Sequence, residues 1–339
     1  MDDTPDLFTW AEEQQRNRGA ETADAPAPLP EAPAEPAAPV SGPVMLIDAF
    51  SQIFRCFFAI RQLNNRRGEP VNALYLMTKL FLILNRDYPG NRGALLFDSG
   101  KVQFRLELLP EYKANRPPMP EELKVQMPKI EEMARAFGWP LLRAENYEAD
   151  DLIGGFACSV KAPVLVVTSD KDLSSLVNGR VRLLKPARSG GGFKECAEEE
   201  VRQEFGVTPE LIPDYLALLG DNVDNISGVP GIGVKSAAEL LNTFGPIESW
   251  YAGDGTEKFT GSKFAAKLAG KRELIERNLA LTRLKCELPP EFAAADQVLA
   301  RREPDWQRIA DLCADNDFRS LLKEIPATPA PPSREDELF

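Results

Sequence analysis

Three short apolar runs, VMLID (44–48), ALLF (94–97) and PVLVVTS (163–169), punctuate a chain that otherwise carries helical patterns. Runs of this length without polar alternation read as strands buried on both faces. The stretches 51–63, 72–87, 121–137 and 149–160 space their apolar residues as helices do. Strands and helices in alternation predict an α/β fold, a mostly parallel sheet flanked by helices. After about residue 205 the strand signals stop, and helices are expected at 209–219, 235–244, 271–284 and 305–315. Residues 20–43, rich in Ala, Pro and Glu, and PATPAPPSR (326–334) hold little apolar bulk and read as disordered tails. The expected organisation is a tail over 1–43, an α/β domain over 44–205, a helical subdomain over 206–325 and a tail over 326–339.

The chain has no histidine among its 339 residues. A Ser-His-Asp triad, a Cys-His dyad and a His-ligated zinc are therefore impossible. Cys56, Cys158, Cys196, Cys286 and Cys313 are scattered, odd in number and without CxxC spacing, which fits reduced thiols better than a disulfide framework. A catalytic metal would then sit among oxygen ligands, which favours hard ions such as Mg²⁺ or Mn²⁺. No apolar run is long enough to span a bilayer, and Asp2, Asp3 and Asp6 take the place of a basic signal-peptide start, so a cytoplasmic protein without a membrane contact is expected. The net charge of −12 is uneven: residues 1–42 carry −7 and residues 327–339 carry −2, leaving −3 for the middle. Overall charge neither supports nor excludes nucleic acid.

The apolar runs lead into aspartates: Asp48, Asp98 and Asp170. Ligands of open α/β sheets bind beyond the carboxyl ends of the strands, so these acids are expected to share one crevice. Asp172 follows by two residues. Glu148, Asp150 and Asp151 open another helix, and Asp221 and Asp224 stand one turn apart in GDNVDN. For any one of them, capping a helix start is the better reading. For the whole set it fails, because so many carboxylates together need a cation to offset their repulsion.

Two further segments stay open on local sequence. GVPGIGVKS (228–236) nearly matches a P-loop, but Val234 separates Gly233 from Lys235 and no strand precedes it. A tight turn and a helix–hairpin–helix whose backbone N–H groups meet a phosphate are equal readings. FRLELLPEYKANRPPMP (104–120) sets Arg105, Lys113 and Arg116 beside Phe104 and Tyr112, as a path for single-stranded nucleic acid would. Taken alone, an ordinary solvated loop with one packed tyrosine is the plainer account.

Together the motifs LIDAF (46–50), LLFD (95–98), 104–120, YEADDLIG (147–154), TSDKDLSSLV (168–177) and LLGDNVDNISGVPGIGVKSA (218–237) occur in an order that resembles the 5′-nuclease domain of bacterial DNA polymerase I and the related flap endonucleases. The resemblance covers about residues 44–325. It implies a PIN-like α/β fold with a helical arch and a C-terminal helix–hairpin–helix. It implies an inner metal site at Asp48, Asp98, Glu148, Asp150 and Asp170, completed by Asp151 and Asp172, and an outer site at Asp221 and Asp224. Lys113 and Arg116 match basic residues of the arch near the scissile phosphate. Arg105, Tyr112, Gly228, Gly231, Gly233 and Lys235 are the implied DNA contacts, and relatives hold a potassium ion at the hairpin with backbone oxygens. Family members usually carry Gly-Ser where Ala49 and Phe50 stand, and Pro at Ser227; neither departure touches an implied ligand.

The implied activity is metal-dependent 5′→3′ exonuclease and flap endonuclease cleavage of DNA with flaps, nicks or 5′ ends, in primer removal and repair. No polymerase domain follows, so a free-standing, monomeric nuclease is expected. A phosphatase acting on small esters and a silent DNA-binding module are the rival readings; the hairpin and basic segment speak against the first, the complete acidic set against the second. The final Glu337-Leu338-Phe339 resembles peptides that dock in bacterial sliding clamps, although a solvated end without a partner is the plainer reading.

Overall fold

A computed structural model describes residues 42–90, 92–187, 192–251 and 257–326. The 1–43 tail lies almost wholly outside these residues, as do the clamp-like terminus and nearly all of the 326–339 tail.

The sheet has six strands: β1 (Val44–Asp48), β2 (Gly93–Leu96), β3 (Leu141–Leu142), β4 (Val164–Val167), β5 (Val181–Pro186) and β6 (Phe193–Cys196). Their order is β3-β2-β1-β4-β5-β6, and all pairs are parallel except β5 with β6. The two-faced burial expected of the apolar runs is seen residue by residue. Val44 and Leu46 of β1, Ala94 and Leu96 of β2, and Val164 and Val166 of β4 pack into one core. Met45, Ile47, Leu95, Leu165 and Val167 pack into the other. Each Val, Leu, Ile or Met side chain among these, fully removed from water, contributes roughly 1.5–3 kcal/mol, so both faces hold the strands in register.

The helix Asn72–Asp87 lies where its periodicity places it, and Ala49–Ala59 and Ala149–Ser159 end within a few residues of expectation. The single helix expected over 121–137 is two, Glu121–Lys124 and Met127–Ala136. Pro128 at the start of the second favours a fresh helix start there.

The strand signals do not end entirely at 205. Gly220–Asp221 and Ile226–Ser227 form a small antiparallel ladder around the GDNVDN loop. The helices Ile212–Leu219, Val234–Phe244 and Arg272–Thr282 join the core that contains the inner face of helix Ala149–Ser159. Helix Trp306–Asp315 instead returns to the opposite core, where Ile309, Leu312 and Cys313 pack with Ile130 and Met133, and Trp306 meets Phe137 edge-on at 6.0 Å. Among the described residues, no helix is long and apolar enough to cross a membrane.

Candidate metal and nucleic-acid site

The strand order reverses direction at β1. Its neighbours β2 and β4 continue to opposite sides, which opens a crevice at their carboxyl ends. Asp48, the last residue of β1, is 5% exposed and faces this crevice. It caps the following helix, accepting from Ser51 N (3.2 Å), and its other oxygen accepts from Thr168 Oγ1 (2.8 Å), one residue beyond β4. Capping and clustering are thus compatible. Asp98 and Asp170 lie in the loops beyond β2 and β4 rather than at the strand ends themselves. Asp98 accepts from Ala149 N at 2.8 Å, binding the β2 loop to the helix that Glu148 opens. Asp170 accepts from Asp172 N at 2.9 Å.

The carboxylates feel one another. Burial, then the charges of Asp170 and Asp98, push Asp48 up to about 7 despite the hydrogen bonds from Thr168 and Ser51. Burial and the charges of Asp170 and Asp48 raise Asp150 well above the carboxylate range, and burial with Asp170 and Asp224 does the same for Asp172. Asp172 Oδ1 is buried without a hydrogen-bond partner. Five of the seven acids assigned to the inner cluster, Asp48, Asp98, Asp150, Asp170 and Asp172, thereby act on one another, while Glu148 sits with Lys113 and Tyr112.

The seventh, Asp151, is different. It is fully buried, and both of its oxygens are occupied by Arg105 (2.6 and 2.9 Å), with Lys285 N at 3.1 Å and Glu148 N at 3.4 Å. Burial works against its charge, but Arg105 holds its pKa below the usual value. Asp151 is therefore part of a buried ion pair and a helix cap, and no oxygen of it is free for a metal. The same pair corrects the reading of Arg105 as a DNA contact, since its guanidinium is 2% exposed and spent on Asp151 and Glu148.

Tyr112 is also buried, which removes its ring as a stacking surface. Its hydroxyl lies within reach of Glu148 Oε2 (3.2 Å) and Asp224 Oδ2 (3.0 Å). Lys113, at φ 58°, sends Nζ to Glu148 Oε1 at 2.8 Å and stands 3.9 Å from Asp224 Oδ2. Burial disfavours the ammonium, yet Glu148, with Tyr112 and Asp224, holds its pKa well above the lysine value. Arg116 pairs with Asp224 at 2.5 Å. Lys113 N donates to Asp224 O, Asn115 Nδ2 to Asn222 O and Asn225 Nδ2 to Glu111 O. The basic segment is thus a short helix, Gln103–Leu108, and a turn closed down on the 221–225 loop, not a solvated loop.

At the outer pair, Asp221 accepts from Lys171 Nζ (2.7 Å) and Val223 N (2.7 Å). Asp224 is held below the usual carboxylate pKa by Lys113 and Arg116, against its burial. Among the described residues no three acidic or thiol side chains already close around a single point where an ion could sit. The physical reason is in the pairs just described. Lys113, Arg116 and Lys171 hold oxygens of Glu148, Asp224 and Asp221, and the remaining aspartates repel one another. The donor set, all oxygen with excess negative charge and one unpartnered buried carboxylate oxygen, fits hard divalent cations.

Thr168 and Lys171 were not singled out from the sequence, although both lie inside TSDKDLSSLV; their partners, Asp48 and Asp221, are 120 and 50 residues away.

The glycine-rich turn divides into three roles. A β-carbon at Gly228 would collide with the Leu219 carbonyl, so glycine here is required for packing against the preceding helix. Gly231 has φ +79° and is exposed. Gly233, at φ −110°, precedes the helix Val234–Phe244, and a β-carbon there meets nothing. With Lys235 exposed beside it, this helix start is open to an anion. Lys267 Nζ donates to Gly231 O at 2.8 Å, so a cation already stands at the hairpin carbonyl.

Residues 43–206 match the family described as 5′-3′ exonuclease, N-terminal resolvase-like domain, and residues 207–307 match 5′-3′ exonuclease, C-terminal SAM fold. A 5′-3′ exonuclease of Aquifex aeolicus is 34% identical over 284 residues, which span 83% of this chain and 94% of that protein. DNA polymerase I of Pseudomonas aeruginosa is 37% identical over 291 residues, covering 84% of this chain; the chain spans 31% of that relative's length. In fold, a mutant of the T5 5′-exonuclease superposes with TM-score 0.57 at 22% identity, covering 82% of this chain and 99% of that one. Flap endonuclease-1 from Methanococcus jannaschii superposes with TM-score 0.52 at 18% identity, covering 84% and 90%. Both halves of the described chain, sheet and helical part together, are thus accounted for: the chain belongs to the 5′-3′ exonuclease family.

Proposed function

We propose that this chain is a structure-specific 5′→3′ exonuclease and flap endonuclease that hydrolyses DNA phosphodiesters at a free 5′ end or flap. The observation that carries this is the mutual repulsion of Asp48, Asp98, Asp150, Asp170 and Asp172 at one end of the sheet, beside Lys113 and Arg116 paired to Glu148 and Asp224. In this reading Asp48, Asp98, Asp150, Asp170 and Asp172 hold one divalent ion, Mg²⁺ or Mn²⁺, and Asp221 and Asp224 contribute to a second, with Glu148 between them. When bound, such ions supply acidification of the attacking water and charge to offset the leaving 3′ oxygen.

The chain's own residues do the rest. Thr168 and Ser51 fix the orientation of Asp48, and Ala149 N that of Asp98. Lys113 and Arg116 offset charge developing on the phosphate, which requires them to exchange Glu148 and Asp224 for the substrate. No histidine can take the proton of the attacking water, so its acidity depends on the carboxylate-held ions. The exposed start of helix Val234–Phe244, with Gly231, Gly233 and Lys235, would meet a duplex phosphate through backbone N–H groups and read no sequence. A potassium ion at the hairpin would have to share or displace the Lys267 contact with Gly231.

The discriminating experiment incubates the full chain with end-labelled flap, nicked and single-stranded DNA, and with nitrophenyl phosphate, in Mg²⁺ or in EDTA. The expected result is Mg²⁺-dependent cleavage of flap and 5′-ended substrates. Hydrolysis of the small ester without DNA cleavage would overturn the reading in favour of a phosphatase, and DNA binding without cleavage would assign a silent binding module.

A further inference from the structure

The five cysteines divide sharply in the folded chain. Cys56, Cys196 and Cys313 are buried, while Cys158 and Cys286 are exposed. These two, 128 residues apart in sequence, are neighbours in space. Cys158 lies in the last turn of helix Ala149–Ser159, and Cys286 lies in the extended segment after helix Arg272–Thr282.

The apposition follows from the packing of those two elements. The helix carries Gly154 and Gly155 on the face that meets the segment. A β-carbon on Gly154 would come within 2.7 Å of Lys285 O, and one on Gly155 within 2.7 Å of Leu288 Cδ2. The absence of side chains at these two positions lets the segment's backbone lie directly on the helix. Cys158 stands four residues beyond Gly154 and three beyond Gly155, so it projects from the same face. Cys286 stands between Lys285 and Leu288, the residues that touch that face. Lys285 N also donates to Asp151 at 3.1 Å, which fixes the segment's height along the helix. Cys286 lies close enough to the Cys158 thiol to raise its pKa.

We propose that Cys158 and Cys286 are a reversible disulfide site, which ties the active-site helix of the nuclease domain to the helical subdomain when the protein meets a small-molecule disulfide. The chemistry is ordinary thiol–disulfide exchange. Cys286, as its thiolate, attacks one sulfur of glutathione disulfide and releases one glutathione thiol. The second cysteine thiolate then attacks the resulting mixed disulfide and releases the other. Two cysteine thiols lose two electrons, the glutathione disulfide gains them, and the two protons end on the two glutathione thiols. Burial, then the neighbouring Cys286, raises the Cys158 thiol pKa, which leaves the first attack to Cys286 and the resolving step to Cys158. The bond would close a loop of roughly 130 residues, so its effect on the unfolded chain is large.

The experiment uses the full chain, treated with excess glutathione disulfide, then alkylated and analysed without reduction by intact mass and peptide mapping. The expected result is loss of two hydrogens and a single crosslinked peptide pair joining Cys158 to Cys286. That product disappears in Cys158→Ser and in Cys286→Ser, and the oxidised parent melts several degrees above its reduced form, a difference abolished by dithiothreitol. Stable glutathione adducts without an intrachain bond, a link to any other cysteine, or a link between two chains would overturn the proposal.

Discussion

Arg105 shows how much of this site depends on a single buried cation. Its guanidinium and the carboxylate of Asp151 are both shut off from solvent, and they meet through two hydrogen bonds. Removing one partner of such a pair leaves the other charged and unsatisfied, which typically costs about 3–5 kcal/mol. Arg105→Met should therefore lower the denaturation midpoint steeply, and flap affinity should fall only as far as the folded fraction does. A fully stable variant with weakened DNA binding would restore the reading of Arg105 as a DNA contact. The sequence could not separate these roles. FRLELLPEYKANRPPMP presents three cations and two aromatics with nothing local to show that Arg105 and Tyr112 face inward, because their partners lie 36 to 112 residues away. Asp48 was legible for the opposite reason: the apolar run that buries β1 ends on it, so strand geometry alone carries it to the crevice.

At the scale of elements, the hairpin before helix Val234–Phe244 separates backbone strain from surface recognition. Gly231 is the residue at positive φ, whereas Gly233 is not. A β-carbon at Gly231 should cost roughly 1 kcal/mol. At Gly233 it meets open space, so Gly233→Val should leave the denaturation midpoint near the parent's while weakening affinity for duplex-containing DNA. Unchanged affinity in that folded variant would assign the turn to packing alone. The longer elements were readable because apolar periodicity persists over several turns in 72–87 and 149–159. Strands β3, β5 and β6 were not singled out: β3 has two residues, and VRLLKP beside the sheet edge and FKEC at it mix charge into short strands. The return of helix Trp306–Asp315 to the sheet was equally hidden, since periodicity tells which face is apolar but not which core receives it.

Across the whole molecule the governing fact is surplus negative charge at one end of the sheet. A carboxyl whose folded pKa is raised binds more protons in the folded than in the unfolded chain. Stability is then lost as pH rises from the unfolded value, about 4, through the folded one. Asp48, raised to about 7, gives a window that opens near pH 4, and Asp150 and Asp172, raised well above the carboxylate range, extend it upward. In EDTA the melting temperature should fall between pH 5 and pH 8, and Mg²⁺ should raise it more at pH 8 than at pH 5, because ion binding stabilises only the folded cluster. A metal-free chain that melts higher at pH 8 would contradict the cluster's electrostatics.

Asp170 gives the most direct test, because its charge raises Asp48, Asp150 and Asp172 alike while its oxygen also accepts from Asp172 N. Asparagine keeps the size and the acceptor but not the charge. If Asp170 only orders its loop, Asp170→Asn should cut like the parent. The account predicts instead a chain that melts no lower than the parent in EDTA, still binds flap DNA, and cleaves it orders of magnitude more slowly in Mg²⁺ under single-turnover conditions. Cleavage by Asp170→Asn at near-parental rate would contradict the assignment of the active site.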